Sequence, residues 1–357
     1  IYSFRAAEPD YLLNFKNIYP NAKLITMDEN HRSQANIVKA ANNFIIQNQK
    51  RYNKNLFTSK NATSKVYKKY AKDSKDSFSY ILKNIDPNKT NAIVFRNNIS
   101  ALNLISFLME KDIDFTINNL SIDFFDSKIL RDMVNIINFS KDFYNVELFS
   151  EIYYMVNTYL SKEEIEKLDL KAINYTVFDY LHEYISDEKA YGLLRKEKEF
   201  KNLRTMDLDN QISYIYNKMG YRYYIKMFSN KYYEVVINKD LYVESMINFT
   251  KDLKDLNEFY KKIEEFERIL NKNNESNIIL STIHKSKGLE YDNVFIIDLV
   301  KGEFPLIYDY KNRENRLEEE RRMFYVAMTR ARDNLHLITL KYRNNHKVEP
   351  SDFYTYV

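Results

Sequence analysis

Between Ser281 and Glu290 the chain places Thr282, His284, Lys285, Ser286 and Lys287 in close succession, followed by Gly288. Hydroxyl, imidazole and ammonium groups are all donors suited to phosphate, and a glycine lets backbone approach a ligand without a Cβ in the way. A surface turn rich in cations and hydroxyls has the same composition, so the loop alone leaves both readings open. Apolar runs on either side, Asn277 to Leu280 and Asn293 to Ile297, predict strand, loop, strand. The four glycines, Gly192, Gly220, Gly288 and Gly302, include no pair with P-loop spacing before Lys-Ser or Lys-Thr. Phosphate at Gly288 would be held without that cradle.

A second arginine-bearing stretch follows. Residues 313 to 322 are densely charged and run into Met323 to Met328, apolar on nearly all sides, so one helix must pass from surface to core within about two turns. Arg330 stands where that helix leaves the core. An arginine there cannot stay unpaired; its partner is a carboxylate or a bound phosphate. Arg32 lies in the polar turn Asp28 to Ser33, ahead of a predicted long helix with Ile37, Ala40, Ala41, Phe44 and Ile45 on one face. It could meet an anion there, aided by unpaired helix N–H groups. At the start of the chain, Tyr2, Phe4 and Arg5 are either a frayed strand end or a platform for unpaired bases.

The 357 residues suffice for two domains, and 45% hydrophobic with 15% aromatic residues supply ample core. Lys and Arg number 54 against 50 Asp and Glu, so a net +4 permits a polyanion partner without demanding one. With no cysteine there are no disulfides, thiolate zinc sites or cysteine-ligated clusters, which fits a reducing cytoplasm. No apolar run reaches membrane-spanning length. The expectation is a soluble cytoplasmic chain with no membrane partner.

Periodicity sets out the elements that must position these groups. Helical spacing covers Asp10 to Ile18, and Lys23 to Thr26 reads as a short strand. Ser59 to Lys75, rich in lysine, reads as a solvated face and loop around Val66 and Tyr67. Asn91 to Phe95, Ser100 to Lys111 and Phe115 to Ile117 form a predicted βαβ unit of a parallel sheet. From residue 126 to 274 the pattern is helical, and strand texture returns at Ile278, so the helical block reads as an insertion into one sheet domain. A turn at Gly302 and Pro305 and a strand at Leu335 to Leu340 complete the order.

These residues resemble the UvrD/Rep/PcrA group of superfamily 1 DNA helicases, in its C-terminal half and over essentially the whole chain. Thr282-Ile-His-Lys-Ser-Lys-Gly-Leu-Glu-Tyr291 resembles motif V, and Asn30-His-Arg-Ser33 resembles motif IV. Glu318-Glu-Glu-Arg-Arg-Met-Phe-Tyr-Val-Ala-Met-Thr-Arg-Ala331, the most specific stretch, resembles motif VI. Ile1 to Ala7 is similar to the tail of motif III, and Phe124 to Ile129 to the motif preceding the family's helical insertion.

The resemblance implies an α/β fold, a RecA-like parallel sheet flanked by helices with a large mainly α-helical insertion. Residues 1–22 would be the tail of a first RecA-like domain, 23–125 with 275–345 the second, 126–274 the insertion and 346–357 a C-terminal tail. It further implies a motor moving 3′ to 5′ on single-stranded DNA towards a duplex junction, with ATP and Mg2+ in the cleft between the two domains. The Walker A lysine and the Walker B pair, hence the Mg2+ ligands, would belong to the N-terminal domain upstream, and this chain alone would be inactive. Arg330 and Arg32 would approach the γ-phosphate. Glu290 would accept from the ribose hydroxyl, with Gly288 and His31 beside the nucleotide. Thr282, His284, Arg96 and Asn97 would face DNA, and Tyr2, Phe4 and Arg5 would meet its bases and backbone.

Some positions depart from the family pattern. His31 replaces a common adenine-stacking tyrosine, Phe4 a common tryptophan and Ala6 a common glycine. Repair or replication proteins would be further partners. Two other readings stand beside this one: a helicase-like module that binds single-stranded nucleic acid or a protein without using ATP, and the helicase subunit of a nuclease complex. Arg32, Glu290 and Arg330 disfavour the first, and the short stretch after the last strand disfavours the second.

Overall fold

A computed structural model describes residues 9–23, 25–63, 65–117, 124–168, 175–232, 239–270, 275–307 and 312–357. Tyr2, Phe4 and Arg5 lie outside the described residues. The chain divides into two units, Ile1–Ser121 with Leu270–Val357, and Ile122–Ile269.

The first unit is α/β. Helices α1 (Pro9–Leu13), α2 (Phe15–Ile18) and α3 (Ala35–Ile45) precede strand β1 (Val66–Ala71), helix α4 (Ser74–Asn84), β2 (Asn91–Phe95), α5 (Asn98–Glu110) and β3 (Thr116–Ile117). After the second unit come β4 (Ile278–Thr282), β5 (Tyr291–Ile296), helix α15 (Arg313–Met328), β6 (Ala331–Leu340), β7 (Tyr342–Arg343), β8 (His346–Lys347) and α16 (Asp352–Tyr356). Six strands form one sheet in the order β1-β6-β5-β2-β4-β3. Every pairing in it is parallel.

Strand alternation divides the sheet's contacts between two faces. Ala92, Val94, Val294, Ile296, Leu335 and Leu337 share a core with α3, α15 and α16. Phe44 meets Phe324 and Phe353 edge-on at 4.8 and 5.0 Å there. From the opposite face of β6, buried His336 stacks between Tyr67 and Phe295 at 4.6 and 4.4 Å and pairs with the hydroxyl of Tyr80 on α4 at 2.9 Å.

The second unit holds α6 (Lys128–Lys141), α7 (Val146–Ile152), α8 (Lys162–Glu166), α9 (Val177–Tyr184), α10 (Asp187–Leu203), α11 (Leu208–Asn217), α12 (Tyr221–Tyr232), α13 (Lys239–Thr250) and α14 (Leu256–Leu270). Helices α6 to α9 start on side-chain caps that take up orphan N–H groups, with capping boxes at Ser161/Glu164 and Thr176/Asp179. Phe139, Phe149, Phe178 and Phe200 are fully buried, with Phe139 and Phe178 each in ring contact with the other three. No helix among the described residues is long and apolar enough to cross a membrane.

Two local readings change. Lys23, Ile25 and Thr26 are not strand; Ile25 and Met27 are 75% and 81% exposed, and only Glu29 bridges to Phe57. An apolar run with no neighbouring strand has nothing to pair with. Conversely, the lysine-rich stretch contains β1, an edge strand whose partner β6 is remote in sequence. Lys68 lies over the Tyr354 ring at 4.7 Å and Lys69 pairs with Asp76 at 3.0 Å, so its charges are accommodated while they guard the open edge.

Buried charge also ties the C-terminal segment to the sheet unit. Arg343, 1% exposed, donates to both carboxylate oxygens of Glu303 (3.1 and 2.7 Å), to Asp298 (2.7 Å) and to Ser74 Oγ (2.8 Å). Replacing it with methionine leaves two buried carboxylates without their cation. The expected loss is about 3–5 kcal/mol in the unfolding free energy measured by urea titration; a loss below about 1 kcal/mol would show that water reaches these acids.

Candidate nucleotide and DNA sites

Because all six strands are parallel, the sheet has one edge of strand starts and one of strand ends. Glu290 immediately precedes β5 and Arg330 immediately precedes β6, so both belong to the starting edge. Thr282 closes β4, and Arg96 follows the last residue of β2, so these belong to the ending edge. Residues 283–290 run from one edge to the other, across a strand length of roughly 15 Å.

At the starting edge the turn 28–34 is stitched to the start of β6 by hydrogen bonds. Asn30 Oδ1 accepts from the backbone N–H groups of Arg32 (2.9 Å) and Ser33 (2.8 Å), an Asx turn that fixes the loop. Ser33 Oγ donates to the Ala331 carbonyl at 2.6 Å and Gln34 N–H to the Arg332 carbonyl at 3.1 Å. Arg32 thereby reaches Glu290 Oε2 through Nε at 2.7 Å and the Thr329 carbonyl through Nη1 at 3.0 Å.

Arg330, 8% exposed, donates to the carbonyls of Val326 and Leu289, each at 2.9 Å, and to Thr329 Oγ1 at 3.3 Å. Among the described residues its hydrogen bonds go to neutral acceptors. Of the two partners open to it from sequence, the carboxylate is thus not in contact. Burial, and then the nearby Arg32 charge, push its guanidinium down to about 10, the sign of a cation held without a touching counter-charge.

Glu290 carries the compensating charge. Arg32 grips one oxygen, while Arg332 grips the other through Nε at 3.1 Å and through Nη2. These hydrogen bonds hold its carboxyl down to about 2. His31 is exposed, with Nδ1 3.7 Å from Glu29. Gly288 has φ +90°, and a Cβ built there meets nothing within 4 Å, so backbone conformation alone accounts for the glycine in this chain.

At the ending edge Arg96 makes a bidentate pair with Glu320 on α15, Nη2 at 2.8 Å and Nε at 3.1 and 3.2 Å. Glu320 is 4% exposed and also accepts from the Leu306 N–H at 3.1 Å. Asn97 caps the start of α5 without a side-chain bond to it. Thr282 Oγ1 accepts from Lys285 N–H at 3.2 Å, shaping the turn that carries His284. Burial, then the Arg96 charge, push His284 down to about 4, so at neutral pH its ring is uncharged and would meet a phosphate as a hydrogen-bond donor rather than an ion.

Sequence reasoning assigned no role to Arg332, Asp292, Asn30 or Glu320, although Asn30 and Glu320 fall inside the stretches that resemble motifs IV and VI. Asn30 had a signal, since Asn two residues before a helix-leading turn favours an Asx turn. Arg332 had none: between Tyr291/Ala331 and Asn293/Asn334 strand β6 carries one more residue than β5, and this bulge lets Arg332 reach Glu290 and Asp292 while Asp333 turns to Lys89.

Two acid windows follow from these shifts. The folded values of Glu290 (about 2, against an ordinary 4.5) and His284 (about 4, against 6.5) are both depressed. The unfolded chain binds each proton first, so stability falls with pH in both cases. In urea titrations, Glu290→Gln is expected to flatten the decline between pH 4.5 and 2, and His284→Gln part of that between pH 6.5 and 4. His336, pushed by burial to about 4, accounts for a further part of the upper window. Unchanged slopes in both variants would contradict the assignments.

A model of the UvrD-like helicase C-terminal domain matches residues 25–342, nearly the whole chain. The chain is 27% identical to the putative ATP-dependent DNA helicase YjcD of Bacillus subtilis, over 94% of this chain and 46% of that protein. It is also 27% identical to the ATP-dependent DNA helicase PcrA of Staphylococcus epidermidis and 26% identical to that of Staphylococcus aureus, in each case over 94% of this chain and 49% of the relative. The chain thus spans about half the length of the curated relatives it matches. With the two motif-bearing edges on one parallel sheet and the match running through both, the chain belongs to the UvrD-like helicase C-terminal domain family.

Proposed function

We propose that this chain is the C-terminal half of an ATP-dependent DNA helicase or translocase moving 3′ to 5′, cytoplasmic in location and inactive until joined to a preceding domain that binds ATP. The observation that carries the reading is Arg330: a buried guanidinium, bonded to neutral acceptors, beside a second arginine at the start of the sheet. Such an arrangement favours an arriving anion over solvent, because the charge has already been desolvated and oriented by folding. Arg330 and Arg32 would stabilise the charge on a transferring γ-phosphoryl group. His31, exposed at the same edge, would lie against the base, Gly288 would shape the loop beside it, and Glu290 would accept from the ribose.

ATP with Mg2+ supplies the phosphoryl group and its charge neutralisation, and we assign the metal's ligands to the preceding domain, as the family resemblance implies. The residues of this chain bind and orient. At the ending edge Thr282, His284, Arg96 and Asn97 would track single-stranded DNA near a duplex junction, with Arg96 held in place by Glu320. Tyr2, Phe4 and Arg5 would add stacking and backbone contact. Relatives named ATP-dependent DNA helicases support the substrate classes. Repair or replication proteins are the further partners this activity would call for.

The test is DNA-stimulated ATP hydrolysis by the full-length protein and its Arg330→Ala variant. Loss of at least about 10³-fold in turnover with single-strand affinity retained is the expected result. A normal rate in the variant would remove Arg330 from the chemistry, and DNA binding without any hydrolysis in the intact protein would favour a helicase-like binding module.

A further inference from the structure

We infer that Arg332 is a positioning residue that frees Arg32 for the nucleotide by holding Glu290 in its place. The inference rests on the proposed role of Arg32 and goes beyond it, since it concerns a residue that would touch neither nucleotide nor DNA.

The geometry is a carboxylate shared between two guanidiniums. Glu290 accepts on Oε2 from Arg32 Nε at 2.7 Å and on Oε1 from Arg332 Nε at 3.1 Å, with Arg332 Nη2 also donating to Oε1. Arg332 has a second carboxylate, Asp292, at 3.3 Å through Nη1. Asp292 is itself fixed by the backbone N–H and hydroxyl of Thr90, at 2.9 and 2.8 Å, and the bulge in β6 sets the direction of Arg332. Arg332 is therefore the anchored arm.

Arg32 differs. Among the described residues its guanidinium has one other hydrogen bond, to the Thr329 carbonyl at 3.0 Å. For Arg32 to turn onto a phosphate, its bond to Glu290 must break. With Arg332 in place the departing arginine leaves behind a carboxylate that still has a bidentate donor and a cation. Without Arg332, Glu290 would keep Arg32 as its only cation among these contacts, and the exchange would strand a negative charge beside the incoming phosphate. The second guanidinium thus turns an ion pair that would sequester Arg32 into one that can be exchanged.

The experiment compares steady-state ATP hydrolysis, with saturating single-stranded DNA, of the full-length protein and its Arg332→Gln, Arg332→Lys, Glu290→Gln and Arg332→Gln/Glu290→Gln variants. Arg332→Gln is expected to lower kcat about tenfold, an effect of the size that coupled neighbours produce, with a smaller change in KM. Arg332→Lys keeps the charge but not the two-sided fork, so an intermediate kcat is expected. The decisive comparison is the double variant: removing the Glu290 charge should raise kcat from the Arg332→Gln level to that of Glu290→Gln alone. A merely structural arginine would give no such rescue.

An unchanged kcat in Arg332→Gln, or a double variant slower than Arg332→Gln, overturns the inference. If Arg332→Gln does not fold, the pair Arg332→Lys and Arg332→Lys/Glu290→Gln carries the same comparison at smaller amplitude. Arg32→Ala separates the two levels of the reading: normal hydrolysis in that variant removes Arg32 from the chemistry and the exchange falls with it, whereas a slow Arg32→Ala beside a normal Arg332→Gln overturns the exchange alone.

Discussion

Parallel strands impose the constraint on which this molecule turns. Because β4 and β5 run the same way, the eight residues between Thr282 and Tyr291 must return the chain from the ending edge of the sheet to its starting edge. A connection this short has no room for a full crossover helix. It is instead a run of turns held by its own groups, with Ser286 N–H on the Thr282 carbonyl and Leu289 N–H on the Ser286 carbonyl at 2.9 and 3.0 Å. One segment therefore carries His284 at one edge and Glu290 at the other, and the two candidate sites cannot shift independently of it.

Helix α15 makes the return on the other side of β5, and its charges explain how a helix so polar in its first half can be buried in its second. Glu318 accepts from the backbone N–H groups of Gln49 and Lys50 at 2.7 and 3.2 Å, satisfying loop donors that follow α3. Glu320 faces Arg96. These acids are not solvated decoration: Glu320 is buried against Arg96, and Glu318 is buried with Arg322 paired to its other oxygen at 2.9 Å. The same helix delivers Arg330 to the starting edge about ten residues later, roughly 15 Å along its axis. Both edges are thus joined by the loop 283–290 and by α15, two connections made largely of turns and buried ion pairs.

Electrostatically the two edges differ. At the starting edge three arginines and two carboxylates lie within one hydrogen-bonded cluster, and the arginine that is most buried is the one with no carboxylate contact among the described residues. At the ending edge the arginine is fully engaged with a buried glutamate, and the histidine is neutral. One edge thus holds a buried arginine bonded to neutral acceptors, while at the other the arginine is paired with a buried acid. The +4 net charge of the chain hides this division, because ion pairs cancel most of it locally.

Much of this was legible in the residues. Alternation and apolar runs located β2, β4, β5 and β6, and the helical period located α3, α5 and α15; donor-rich spacing pointed to Thr282 and His284, Arg32 and Arg330 were marked by their places at helix ends, and Glu290 came only from the resemblance to the helicase family. Such signals are local, since a strand buried on both faces or a helix with an apolar side must show its period in the sequence. Where the pattern is overridden by a distant partner, the sequence is silent. The lysines of β1 describe a solvent-facing loop until β6 is brought beside them, and Ile25 looks like strand until no neighbour appears. The partner of Arg330, the sharing of Glu290 between Arg32 and Arg332, and the burial of Glu318 and Glu320 were decided only by tertiary structure, because each joins groups far apart in the chain. Residue types and local periods determined which side chains could do chemistry; the parallel sheet, its one-residue bulge and the packing of α15 decided which of them meet, since sequence spacing carries no information about a contact closed by a fold.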